Sequence, residues 1–132
     1  MRSSLILLIF LPIIVFGQKS AQDLYLKGNQ KYNLKDYEKA LSYAEKGIIK
    51  DKYNVNNYFL KGISKYQLED YYGAISALNK AIEMYPNDAD FYSFKAMSMD
   101  KIGDSKGALE NYEKCIELDP EDPDYYYFIA CI

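Results

Sequence analysis

Carboxylates and thiols are the main groups in this chain that could act on a substrate or hold a metal, because none of its 132 residues is histidine. That absence removes Ser-His-Asp and Cys-His catalysis, the commonest zinc ligand, and the commonest general base near neutral pH. Glu117, Asp119, Glu121, Asp122 and Asp124 crowd one stretch. Their order lacks the ligand spacing and glycine of a calcium-binding EF-hand loop, and a solvated acidic turn at the positive N-terminal end of a following helix accounts for them. Nothing in the sequence sets two carboxylates in a pocket, as a hydrolase would need. Cys115 and Cys131 are the remaining candidates. Helical spacing puts Cys115 on a packed face and Cys131 on an open one. A disulfide needs Cα atoms within about 7 Å, so the expectation is one buried and one exposed thiol. No cofactor, metal or small-molecule substrate is expected.

The charge pattern narrows the partners. Arg2 is the only arginine. The rest of the chain sets 15 lysines against 19 acids, a side-chain charge of −4. Arginine is the favoured bidentate reader of phosphate and guanine; with no basic cluster in its place, nucleic acid is not an expected partner. Arg2 precedes an apolar run, Leu5 to Phe16, which ends near the small residues Val15 and Gly17. This has the form of a secretory signal peptide over residues 1–17, cut after Gly17. The run is shorter than the roughly 20 apolar residues that span a bilayer, and no cysteine follows it to carry a lipid. The expected location is therefore periplasmic, in the cell envelope, or extracellular.

The elements that must position any site come from periodicity. Tyr71, Ala74, Ile75, Leu78, Ala81, Ile82 and Tyr85 recur at helical spacing, which predicts an amphipathic helix capped by Asp70 and stopped before Pro86. The same pattern returns every 34 residues. Gly28, Gly62, Ala96 and Ala130 form one column, Ala40, Ala74 and Ala108 a second, and Asp36, Asp70 and Asp104 a third. Leu24, Tyr58, Tyr92 and Tyr126 form a fourth. Units then run over 21–54, 55–88 and 89–122, with an incomplete fourth over 123–132. Each holds two helices, in the first unit Gln22 to Asn33 and Tyr37 to Ile49. Small residues let the paired backbones approach, so Gly62 is expected against Ala74 and Ala81. One helix pair cannot bury its own apolar face, so neighbouring pairs must stack.

Gly28, Gly62 and Ala96, Tyr32 and Tyr66, Ala40, Ala74 and Ala108, Ala81, Pro86 and Pro120 together resemble the tetratricopeptide repeat. The resemblance implies an all-α fold, a right-handed superhelical solenoid of helix-turn-helix repeats, from Ala21 to Ile132. Departures are Lys52 in place of proline, Gly47 and Cys115 in place of the late alanine, and Asp100 in the column of Tyr32 and Tyr66. Lys31 and Lys65 stand where the family often has an aromatic residue or leucine.

The resemblance further implies a concave groove lined by the first helix of each repeat. Its candidate ligand-binding residues are Tyr25, Asn29, Tyr32 and Asn33, then Asn56, Phe59, Ile63 and Tyr66, then Asp90, Met97 and Asp100. Rings and amides suit a peptide, offering contact area and hydrogen bonds at modest entropy cost. The clamp with which some family members hold chaperone C-termini needs cations and a second asparagine. Asn29 matches it, but Tyr25, Ile63, Asp90 and Phe94 occupy its other places. The function expected is a protein- or peptide-binding scaffold and not an enzyme. The alternative is an assembly role through the apolar end around Tyr126, Phe128 and Ile129, by self-association or docking, or membership of a longer array.

Overall fold

The computed structural model describes residues 19–132. It is all helical among those residues: α1 Ala21–Asn33, α2 Tyr37–Lys50, α3 Val55–Gln67, α4 Tyr71–Met84, α5 Ala89–Lys101, α6 Ser105–Leu118 and α7 Pro123–Ala130. The apolar run at residues 5–16 and its cleavage site lie outside the described residues. Among those described, no helix is long and apolar enough to cross a membrane.

One three-residue connection is used three times, and its chemistry explains the aspartate column. At the end of α1 the N–H of Lys35 donates to the Tyr32 carbonyl and that of Asp36 to the Lys31 carbonyl. Glu69 and Asp70 repeat this pair on Tyr66 and Lys65, and Gly103 and Asp104 repeat it on Asp100 and Met99. This is a Schellman closure, whose first residue must be left-handed. Lys35, Glu69 and Gly103 have φ of 60°, 63° and 83°. The aspartate that closes one helix then opens the next: Asp36, Asp70 and Asp104 accept from the backbone N–H of Lys39, Gly73 and Gly107. A single residue takes part in both the stop and the start, so the same turn joins the paired helices in each of the three units.

Each first helix lies against its own second helix, and each second helix against the next first helix. In addition α1 touches α3, and α3 touches α5. The first helices therefore form one continuous row and the second helices the outer row, an all-α solenoid. The core runs between the rows. Leu60 and Leu78 are completely buried, as are Ala40, Ala44, Ala74, Ala81, Ala96 and Ala108. Burying each leucine stabilises by about 2 kcal/mol.

The close approach expected at Gly62 is present against Ala74, but its second partner is Leu78 and not Ala81. A methyl there would run into Leu78 and sit near the Ala74 carbonyl. Ala81 belongs to another column, whose member Gly47 faces the following repeat and whose member Cys115 touches both the first helix of its own repeat and the following one. A side chain on Gly47 would fall on the Asn57 amide of α3, while the Cys115 thiol donates to the Ala89 carbonyl of α5 at 3.4 Å and packs in one cluster with Tyr125. The size of this residue sets how closely the next unit can stack. Asn57, fully buried, donates to the Ala21 carbonyl at 2.9 Å and so ties α3 to α1.

Candidate binding groove

The row of α1, α3 and α5 brings the expected groove residues onto one surface, but they are not equally available. Ile63 is in the core with Ala40, Ala44 and Leu60, because packing against the preceding unit claims its side of α3. It offers nothing to a ligand. Tyr25, Tyr32 and Phe59 pack their apolar bodies on that same cluster and keep part of their surface open. Met97 is similarly divided, packing against the cluster of α5, α6 and α7. Asn33, Asp90 and Asp100 are exposed, and Asn29, Asn56 and Tyr66 are half-buried.

Contacts between repeats hold the floor in place. The ring of Phe59 lies 5.0 Å from Phe91 and 5.8 Å from Phe94, centroid to centroid, and Tyr66 reaches the edge of Phe94 at 6.0 Å. The two contacts to Phe94 are edge-to-face and favourable because the positive rim of one ring meets the negative face of the other, while the Phe91 ring is tilted against Phe59. Across α1 and α3, Gln67 Nε2 donates to the Tyr32 hydroxyl at 3.1 Å, and Gln22 Oε1 accepts from Asn54 and Asn56. Burial raises the Tyr32 phenol above its ordinary pKa, with the bond from Gln67 acting the other way, and burial also raises Tyr66. Both stay neutral donors in the ordinary pH range.

Phe91 and Phe94 are absent from the expected groove set. Phe94 sits one residue beyond Ser93, off the periodic stripe. Only the register of α5 against α3 turns its ring onto Phe59 and Tyr66. Its aromatic type and its place in the family's clamp pattern were the signals available.

The third unit differs from the first two. Tyr32 and Tyr66 each pair with a ring across the following turn, Tyr37 at 5.3 Å and Tyr71 at 5.6 Å. Asp100 and Ser105 occupy the matching places and leave that end of the groove acidic. Asp90 is exposed, yet desolvation and then the charges of Asp88 and Asp122 raise its carboxyl above the ordinary value.

A wider recess, about 680 Å3, opens at the amino-terminal edge between Lys19, Leu24, Tyr43, Lys46, Ile49 and Lys50. It adjoins the first described residue and lacks the ring and amide contacts that join repeats, so the groove is the stronger candidate site. No three acids or thiols among the described residues stand close enough to hold a metal ion. Cys115 is buried and Cys131 exposed, both as free thiols.

A family model for the tetratricopeptide repeat matches residues 55–88 and 89–122. The chain belongs to that family. Among solved structures it is similar to the first such domain of Spaghetti (RPAP3) bound to an HSP90 peptide, SRMEEVD, at 22% identity and a TM-score of 0.82, covering 85% of this chain and 89% of that one. The second domain of human RPAP3, in complex with the HSP70 peptide SGPTIEEVD, is 17% identical with a TM-score of 0.80, covering 84% and 92%. MamA from Desulfovibrio magneticus is 23% identical with a TM-score of 0.81, covering 86% and 64%. No curated protein matches the chain.

Proposed function

We propose that this tetratricopeptide repeat protein is a binding scaffold, that the concave row of α1, α3 and α5 is its docking surface for a protein or peptide segment, and that it performs no chemistry. The observation that carries this reading is the preassembled floor: Phe59, Phe94 and Tyr66 interlock across α3 and α5, and Gln67 joins Tyr32 across α1 and α3. A surface ordered before its ligand arrives loses little entropy on binding. The peptides held by the Spaghetti and RPAP3 domains support the general role. Their acidic termini do not suit this groove, which has Tyr25, Ile63, Asp90 and Phe94 where a carboxylate clamp needs cations and an amide. The sequence at residues 1–17 supports export, with the scaffold working in the periplasm, cell envelope or outside the cell.

Assembly through α7 is the weaker reading. Phe128 stacks on Tyr112 of α6 at 5.3 Å and Ile129 packs beside it, so two of the three residues proposed for self-association already have partners. Tyr126 keeps half its surface exposed.

Capture from the envelope fraction of the source cell tests the scaffold reading. The bait is residues 18–132 and the comparison is the same chain with Asn56→Tyr and Ser93→Tyr, which fill the groove with neutral bulk and remove no core side chain. Both proteins must show equal helix content by circular dichroism. A prey lost only by the filled variant supports the groove, and a prey retained equally by both places binding elsewhere.

A further inference from the structure

We propose that the groove selects a segment carrying lysine or arginine beside apolar residues, and discriminates against acidic segments. This rests on the groove being the docking surface and adds the chemistry of what docks there.

The first observation is how the charges are sorted around the first helices. At 100° per residue, Lys27 and Lys31, Lys61 and Lys65, and Lys95 fall on the side of α1, α3 and α5 opposite the groove stripe. Lys61 and Lys65 are seen there: they line a crevice with Gly73, Ser76 and Ala77 of α4. Lys61 pairs with Glu45 of α2 at 3.4 Å, and Lys65 pairs with Asp70. On the groove stripe itself the acids Asp90 and Asp100 are offset only by Lys101, which extends from the end of α5. The groove of an otherwise lysine-rich layer is therefore left net negative.

The second observation is that this charge lies beside the aromatic shelf. The Asp100 carboxylate is close enough to raise the phenols of Tyr66 and Tyr112, in each case after the larger effect of burial. At the other end of α5, Asp90 stands near Asp88 and Asp122. The half-buried rings of Phe59, Phe94 and Tyr66 lie between. A cation docked here meets ring faces as well as carboxylates, and both attract it. The apolar neighbours in such a segment have the same rings to pack against. A glutamate in the same place would meet like charge and no paired donor.

Titration calorimetry decides the matter with three short synthetic peptides that share one apolar frame and carry lysine, glutamine or glutamate at the polar positions. The lysine peptide is expected to bind at least about tenfold more tightly than the glutamate peptide, and to weaken as salt is raised. Asp90→Asn with Asp100→Asn should weaken it by about tenfold. Glu110→Gln with Glu113→Gln, which removes the same charge from the outer face of α6, should leave it unchanged. Thermal melts of each variant guard against unfolding. The charge inference is overturned if the glutamate peptide binds as tightly, if the aspartate variant binds the lysine peptide normally, if both charge variants lose it equally, or if the lysine peptide does not bind. The variant filled by Asn56→Tyr and Ser93→Tyr separates the two levels. Binding of the glutamine or glutamate peptide that disappears in it leaves the groove reading standing without its charge preference. Binding of any peptide that persists in it removes the groove as the site.

Discussion

At Gly47 a missing side chain decides how two repeats meet. Any Cβ there would strike the Asn57 amide, which is held in place by the Ala21 carbonyl. Gly47→Ala should therefore cost about 1–3 kcal/mol through overpacking, read as a lower midpoint in urea. Adding Asn57→Ala should cost less than the two changes summed, because the clash disappears with the amide. Cys115, in the same column, makes a second case. Burial, followed by the charge of Asp90, pushes its thiol up to about 12 from an ordinary 9.0. A folded-state pKa that is raised favours folding while both states hold the proton. The advantage is lost as the unfolded thiol ionises, so stability should fall as pH rises from near 9 towards 12. Cys115→Ala should flatten that part of the pH profile. At pH 8 a thiol reagent should label Cys131 rapidly and reach Cys115 only after denaturation; equal labelling of both would contradict the burial.

The element scale is governed by the turn that joins each first helix to its second. Glu69 adopts a left-handed conformation that costs an L-residue roughly 1–2 kcal/mol, whereas Gly103 holds the same place without that cost. Glu69→Gly should stabilise the chain by about 1 kcal/mol and raise the melting temperature. Asp70, one residue on, should behave oppositely. Its carboxylate takes the Gly73 N–H and pairs with Lys65, so Asp70→Ala should destabilise by about 1 kcal/mol through loss of the cap. The Lys65 contact first, and the Gly73 N–H next, hold the Asp70 pKa below its ordinary 3.8. That contribution is fully present above the ordinary carboxylate range and vanishes as pH falls through the lowered value. Acid melts of the parent and the Asp70→Ala variant should accordingly converge.

Across the whole molecule the units are coupled through rings as well as helices. Phe59 bridges α3 to α5 through Phe91 and Phe94, so Phe59→Ser should cost about 3 kcal/mol as a large-to-small core change besides any loss of binding. Denaturation followed by circular dichroism measures it; an unchanged midpoint would mean that the ring serves only the groove. The filled-groove and charge substitutions leave this ring bridge intact.

Much of this architecture was legible in the sequence. The 34-residue period, the aspartate caps and the opposed faces of the first helices follow from local chemistry and helical geometry, which act over a few residues and leave a regular trace. So did the absence of histidine and arginine from the described chain, which limits the chemistry and partners available. Three features were decided only in the folded molecule. Ile63 was expected to face the groove but belongs to the core, Phe94 joins the aromatic floor although it lies off the stripe, and Phe128 is taken up by Tyr112. Each depends on which side of a helix its neighbours cover, a matter of registry between residues 16 to 35 positions apart. Periodicity defines the face of one helix, but the depth and angle at which the next unit settles determine which parts of that face are left open.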